Sequence, residues 1–291
     1  MPSLETLVLI ALLAGIVLTV VTLGFEADWE DTTTLFRQPG LFIRSILAMN
    51  VVSPVVAALL AAAFDLHPAV KIALVALAIS PLPPFLPRKE MTAGGRRSYV
   101  IGLLVATALL AIVFVPLSLA ILQAIFHLPL EVSMAKIARP VATSVLAPLA
   151  AGMAVHAFAP ALAKRLVRPV GFVAGLMLVL GLLVMLVKLG PEMWELVGNG
   201  TLAAMVAFAI IALVAGHLLG GPLPGNRAAL ALATSARHPG VAMAIASANF
   251  PGQKLVMPAI LIYALLSMVV SIPYLKKINA VLHSVASGAK A

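Results

Sequence analysis

The sequence predicts an all-α polytopic membrane protein with about nine transmembrane helices, and three observations carry this prediction. Of the 291 residues, 63% are hydrophobic and only 10% are charged, whereas about 25% of the residues of a soluble domain are charged. The hydrophobic residues form continuous runs, and a membrane-spanning helix needs about 20 such residues. These runs do not alternate in polarity at every second residue, as the strands of a membrane β-barrel do.

Nine hydrophobic segments are predicted to span the membrane, within a single transmembrane domain that covers residues 1–291. The predicted spans are residues 4–23, 41–64, 68–92, 99–126, 137–157, 169–189, 201–219, 227–250 and 255–282. Their lengths fit a bilayer whose hydrocarbon core is about 30 Å thick.

The first four spans include one that is interrupted. The first is a continuous hydrophobic run that ends at an acidic connection, residues 26–31. The second carries a polar side chain, Asn50, near its middle. The third is hydrophobic only in its first half, because four prolines between residues 81 and 87 precede Arg88 and Lys89. The fourth is again continuous.

The last five spans repeat this pattern. The fifth, sixth, seventh and ninth are continuous hydrophobic runs, of which residues 202–215 are an example. The eighth is interrupted at its centre by Arg237, His238, Pro239 and Gly240. Charge and helix breakers at the centre of a hydrophobic segment distinguish this span and the third from the other seven.

The basic residues predict how the chain is oriented. Lys and Arg number 19 against 10 Asp and Glu, for a formal net charge of +9. Most of them follow odd-numbered spans: Arg88, Lys89, Arg96, Arg97, Lys164, Arg165, Arg168, Arg227, Lys276 and Lys277. Because cytoplasmic connections retain Lys and Arg, we expect a multi-pass protein of the cell (inner) membrane with its N-terminus outside and its C-terminus cytoplasmic. The charges form no basic patch interleaved with aromatic residues, which argues against nucleic acid as a partner.

The two interrupted spans indicate a transporter. They lie five spans apart, so equivalent halves would be inverted repeats of about residues 1–126 and 133–285. Unwound backbone at membrane depth persists only where it is buried in protein or lines a cavity. A matched pair of interrupted segments is the sequence pattern typical of a transporter's midplane site. The alternative is that the prolines only kink two helices, but four prolines in seven residues exceed a simple kink.

The candidate substrate-binding or coupling residues lie mostly at these interruptions. Arg237 is near the middle of its span, where a charge is costly, so it either faces a substrate cavity or is neutralised by backbone carbonyls. His238 either titrates near neutral pH or hydrogen-bonds to the backbone. Pro83 and Pro239 mark the two breaks. Asn50 is more typical of a hydrogen bond between helices than of a ligand.

Arg88 and Lys89 complete the candidate set. They are either part of the site or a basic loop near the cytoplasmic end of the third span. Glu90, the acidic residue closest to them in the chain, is expected near the cytoplasmic surface.

These features predict a secondary transporter of a small organic anion. An enzyme is not expected, because the chain has no Gly-x-Ser-x-Gly, no His-Glu-x-x-His and no pair of mid-span aspartates. The absence of cysteine excludes thiolate metal sites and disulfides, and no cofactor or metal is expected. A non-transporting receptor or sensor on the same scaffold is an alternative.

At the two interruptions the chain resembles the bile acid:sodium symporter (BASS) family. The family's second crossing segment reads roughly Glu-x-Gly-x-Gln-Asn-x-Gly-Leu-Ala, and residues 233–242 read Ala-Thr-Ser-Ala-Arg-His-Pro-Gly-Val-Ala. The first crossing segment reads roughly Cys-Pro-Gly-Gly-x-x-Ser-Asn, and residues 82–89 read Leu-Pro-Pro-Phe-Leu-Pro-Arg-Lys. The resemblance covers nearly the whole chain, as a nine-helix bacterial-type member with degenerate sodium-site motifs.

The resemblance implies two inverted repeats that form a panel domain and a core domain, with the broken helices crossing in the core. Transport by alternating access would follow from movement of the core against the panel. The family's sodium ligands include positions that here hold Ala233, Arg237, Arg88, Lys89 and, on the second span, Met49. Cations without a carboxylate would repel sodium. This departure implies proton coupling, exchange or uniport, and the alternative is a sodium-coupled bile-acid-type symporter.

Overall fold

The computed structural model describes residues 4–126, 130 and 132–288. Within these residues the chain forms fourteen α-helices and no β-strand, which confirms the predicted all-α class. The helices are α1 (Leu4–Gly24), α2 (Trp29–Thr33), α3 (Pro39–Ile46), α4 (Ser53–Ala63), α5 (Pro68–Ile79), α6 (Pro87–Thr92), α7 (Arg97–Phe126), α8 (Met134–Val141), α9 (Ala147–Phe158), α10 (Pro160–Glu195), α11 (Thr201–Leu219), α12 (Pro224–Ser235), α13 (Pro239–Asn249) and α14 (Val256–Gly288). The two chain ends, whose sides of the membrane the sequence predicts, lie outside the described residues.

Seven helical stretches in the described part of the chain are long and apolar enough to cross a membrane. They are Thr6–Gly24, Pro39–Ala63, Arg97–Ile125, Met134–Phe158, Pro160–Glu195, Thr201–Leu219 and Val256–Ala280. Each overlaps one of the predicted spans. The third and eighth predicted spans are each built from two shorter helices, so the total of nine crossings stays a prediction.

The sixth span is longer than the hydrophobic pattern indicated. Helix α10 begins at Pro160, nine residues before the predicted start at residue 169. Lys164, Arg165 and Arg168, which were expected in a connection, therefore lie in its first turns. Proline is favoured at the first position of a helix, because its missing N–H is not needed there.

Two π-helical turns keep two spans continuous. Leu47–Val52 joins α3 to α4, and Ala142–Leu146 joins α8 to α9. Pro54 and Pro148 each lie two residues after the end of these turns, and each removes a backbone donor that a regular helix would need. The first turn contains Met49, whose carbonyl group is used at the site described below.

The long helices pack in two groups. In the first group α1, α9 and α10 contact one another, and glycine allows α1 and α9 to touch. A Cβ atom on Gly152 would lie 2.2 Å from the Val21 carbonyl oxygen. In the second group α4, α11 and α14 pack against the helices of the interrupted spans, α5, α12 and α13. Small residues at helix contacts are typical of membrane proteins, because they let backbones approach closely.

Candidate functional site

In both interrupted spans the helix is broken next to prolines. Helix α5 ends at Ile79 and α6 begins at Pro87, so the intervening residues, 80–86, form no regular helix. Helices α12 and α13 are separated by residues 236–238, and Pro239 is the first residue of α13. Proline cannot donate the backbone hydrogen bond that would continue a helix, and at the first position it begins a new one.

The two breaks are in direct contact. The backbone N–H of His238 donates to the carbonyl oxygen of Pro81 at 3.0 Å and lies 3.1 Å from Ser80 Oγ. The prediction that the breaks lie close together is therefore confirmed. Each break leaves backbone groups that hydrocarbon cannot satisfy, and here the N–H of one break bonds to the carbonyl of the other.

Arg237 ties this crossing to the second span. Its side chain is buried, with only 5% of its surface exposed. Nη1 donates to the Ser80 carbonyl at 3.2 Å, and Nη2 donates to the Met49 carbonyl at 2.8 Å. Nε is buried and has no hydrogen-bond partner among the described residues. One guanidinium thus bonds to carbonyls of both the first break and the π-helical turn, and part of its five-donor capacity remains unused.

His238 serves as the N-cap of α13. Its Nδ1 accepts a hydrogen bond from the backbone N–H of Val241 at 3.3 Å. Because Nδ1 accepts, the ring proton of neutral His238 lies on Nε2, which is buried without a partner in the described structure. A proton added to Nδ1 would remove the cap. The sequence left two roles open for His238, titration near neutral pH or a hydrogen bond to the backbone. The structure contains the hydrogen bond to the backbone.

A cavity of about 250 Å³ lies beside the crossing. Four of the predicted site residues line it: Lys89, Pro83, Pro239 and Arg237. Lys89 Nζ donates to Ser271 Oγ at 2.7 Å. Two cations from different spans therefore reach one cavity, and no acidic side chain lines it within the described residues.

Helix α14 contributes to this cavity in a way that the sequence pattern did not predict. Tyr263, Ser267 and Ser271 all line it, and the Tyr263 hydroxyl donates to the carbonyl of Ser235 at the end of α12. These three polar residues are spaced four apart, so they share one face of the helix. That spacing was the available signal, but single polar residues in a hydrophobic run usually indicate contacts between helices.

The other candidates lie elsewhere. Arg88 does not line the cavity, since its Nη2 lies 3.5 Å from Oε2 of Glu26 in the acidic connection. Asn50 is partly exposed and makes no side-chain hydrogen bond in the described structure. Glu90 is fully buried within the protein, and its expected position near the cytoplasmic surface of the membrane stays a prediction. Helix α6 packs against α7 and α12, and both carboxylate oxygens of Glu90 lack a partner among the described residues.

The positions at which the resemblance implies sodium ligands offer no oxygen-bearing side chain here: they hold Ala233, Arg237, Arg88, Lys89 and Met49. Ala233 and Met49 are both buried, with exposed fractions of 0% and 1%. Across the described residues, no three His, Asp or Glu side chains cluster in a way that could hold a metal ion.

Comparison with known proteins identifies one family. A family model described as the Sodium Bile acid symporter family matches residues 12–194, which is more than half of the 291 residues. The match includes the first break and ends before the second. No curated protein matches the chain.

Proposed function

Because this chain belongs to the sodium bile acid symporter family, we propose that it is a secondary transporter that carries a small organic anion across the membrane without coupling to sodium. One observation carries the proposal: at the crossing of the broken helices, the Arg237 guanidinium bonds to the carbonyls of Met49 and Ser80. Transport then proceeds by alternating access, as the interrupted helices move against the group of α1, α9 and α10.

Arg237 supplies the positive charge that a sodium ion would otherwise bring to these carbonyls. Two unit charges about 4 Å apart repel by about 4 kcal/mol at an effective dielectric constant of 20. A sodium ion at the Met49 and Ser80 carbonyls would also have to displace the guanidinium that bonds to them. Because the arginine is covalently attached, the crossing is held together whatever the sodium concentration.

The charge of the cavity supports an anionic substrate. Arg237 and Lys89 both line it, and its other lining residues are apolar, hydroxyl-bearing or proline. A carboxylate or sulfonate can bond to guanidinium and ammonium donors together, and such charge-assisted bonds are the strong ones. The volume of about 250 Å³ is below the range of about 300–1,000 Å³ typical of sites for drug-sized ligands, which favours a small anion.

Flux measurements test the proposal. The purified protein is first screened by thermal shift against carboxylates and sulfonates, with taurocholate included. Stabilising anions are then assayed by counterflow in proteoliposomes that contain either sodium or potassium salts on both sides. We expect equal counterflow in the two salts, because no step requires sodium. Protein-free liposomes are the control.

Two outcomes would contradict the proposal. Uptake that requires an inward sodium gradient, together with saturable sodium binding in calorimetry that potassium does not reproduce, would indicate a sodium-coupled symporter. Anion binding without counterflow of any anion that binds would indicate a receptor or sensor on the transporter scaffold.

A further inference from the structure

A second cavity, of about 380 Å³, lies where the end of α11, the start of α12 and the later part of α14 meet. Its polar lining consists of His217, Arg227, Tyr274 and Lys277. His217 Nδ1 lies 2.9 Å from the Tyr274 hydroxyl, and the two rings meet edge to face with centroids 5.8 Å apart. These residues belong to three different helices and are separate from the crossing.

Arg227 is held in place by the backbone of the preceding turn. Its Nε donates to the carbonyl oxygen of Gly221 at 2.6 Å. Gly221 has a φ of +80°, a conformation that glycine adopts without strain. The bond at Nε fixes the plane of the guanidinium and leaves the Nη groups available to a ligand.

The positive charge of this cavity is not neutralised within the described structure. Neither Arg227 nor Lys277 forms an ion pair there, and no acidic residue lines the cavity. Both charges act on His217, so the two cations and the imidazole lie within electrostatic range of one another. Such a group attracts an anion, because neither cation has a carboxylate partner in the described structure.

The remaining lining is apolar and opens outwards. Val214 and Leu218 line the cavity and expose 51% and 73% of their surfaces. Both belong to α11, which is long and apolar enough to cross a membrane. A ligand with an anionic end and a hydrocarbon end matches this arrangement, because the cations lie at the end of the helix and the exposed side chains lie along it.

We propose that this cavity binds an anionic phospholipid, with its phosphate at Arg227 and Lys277 and an acyl chain along α11. Basic pockets between transmembrane helices are suited to anionic headgroups. When His217 Nδ1 accepts from the Tyr274 hydroxyl, its Nε2–H can donate a further hydrogen bond to a phosphate or glycerol oxygen. The lipid would also brace α12, the helix that ends at the second break, against α11 and α14.

Thermal unfolding in detergent with added lipid tests this inference. The probes are phosphatidylglycerol, phosphatidylcholine with the same acyl chains, and inorganic phosphate. We expect phosphatidylglycerol to raise the melting temperature more than phosphatidylcholine does, because it carries a net negative charge. Inorganic phosphate should have little effect, since it cannot use the apolar part of the cavity. Native mass spectrometry gives an independent count of retained lipids.

Lys277→Gln and Lys276→Gln form a matched pair. Both lysines are exposed and adjacent in α14, but only Lys277 lines the cavity. One basic residue near a lipid surface contributes about 1 kcal/mol, so Lys277→Gln should weaken phosphatidylglycerol binding about five-fold, while Lys276→Gln leaves it nearly unchanged. Arg227→Gln should weaken it at least as much, and the lysine pair keeps the test valid if that variant does not fold.

Three results would overturn the inference. Equal stabilisation by the two lipids would exclude recognition of charge. Equal losses in Lys276→Gln and Lys277→Gln would show that the binding is not localised to the cavity. Full stabilisation by inorganic phosphate alone would indicate a site for a free anion instead of a lipid.

Discussion

Replacing Arg237 with glutamine should weaken both the crossing and the binding of anions. The substitution removes a buried charge and deprives the carbonyls of Met49 and Ser80 of their donor. A hydrogen bond to a charged group contributes about 1.5–3 kcal/mol. Loss of both bonds therefore corresponds to about 3–6 kcal/mol of folding stability, and less if the glutamine amide bonds to one of the two carbonyls.

The effect of Arg237→Gln on anion binding follows from the charged donor that the substitution removes. If a carboxylate or sulfonate accepts one charged hydrogen bond from Arg237, its loss should raise the dissociation constant roughly 10–100-fold. Arg237→Lys keeps the charge but not the planar fork of donors. It should therefore lose less affinity for the anion than Arg237→Gln does.

The stabilisation of Arg237→Gln by sodium is a third quantity to measure. Without the guanidinium, the two carbonyls are free to bind a cation, so sodium should stabilise Arg237→Gln more than it stabilises the wild type. The assays are thermal unfolding in sodium and in potassium, and calorimetry with an anion from the screen. Arg44→Gln is the control, because Arg44 is an exposed cation in α3 of the second span.

Unchanged anion affinity in a folded Arg237→Gln protein would refute the role of Arg237 in binding. The residue would then only hold the crossing together, and the fall in melting temperature would be its whole effect. A sodium response in the wild type as large as that of the variant would refute the view that the guanidinium takes the place of the ion.

Three further substitutions test other parts of the structure. Glu90→Gln should raise the melting temperature, and the increase should grow as the pH rises from neutral. The reason is that the unfolded chain can ionise this carboxyl, which is buried without a partner in the described fold. A variant that is less stable at every pH would contradict this. Lys89→Met should weaken anion binding about 10-fold, by the loss of one charged hydrogen bond, and calorimetry that gives the wild-type affinity would exclude Lys89 from the site. Gly152→Ala should destabilise the protein by about 1–3 kcal/mol, since its Cβ would lie 2.2 Å from the Val21 carbonyl oxygen. Gly175→Ala is the control, because a Cβ there meets no atom within 4 Å and should be tolerated. Equal melting temperatures of the two variants would show that α1 and α9 can separate without cost.

The helical spans and the positions of the breaks were predictable from the sequence. A bilayer imposes a minimum hydrophobic length, and clustered prolines, or proline followed by glycine, disfavour a continuous helix, whereas a single proline such as Pro116 lies inside a helix here. Both are local properties of the chain. The span predicted at residues 201–219 is α11 as observed, and the interruption predicted at residues 237–240 overlaps the gap between α12 and α13 at residues 236–238. The start of α10 was missed because the hydrophobic pattern marks the membrane-embedded part of a helix, which need not be the whole helix.

The partners of the charged residues were decided only by the tertiary structure. Arg88 and Lys89 are neighbours in sequence, yet Arg88 reaches Glu26 and Lys89 reaches Ser271. Successive side chains of a helix point in directions about 100° apart, because the helix has 3.6 residues per turn. Which neighbour each side chain meets therefore depends on the helices packed around α6.

The same holds for Arg237 and Glu90. The sequence placed Arg237 at membrane depth and left two roles open, but the Met49 carbonyl that it binds is 188 residues away in the chain. The sequence predicts Glu90 near the cytoplasmic surface of the membrane but does not indicate that it is completely buried in the protein, where α6 packs against α7 and α12. Hydrophobicity and helix breakers act along the chain and can be read from it, whereas hydrogen bonds and burial depend on distances that arise only when distant segments pack together.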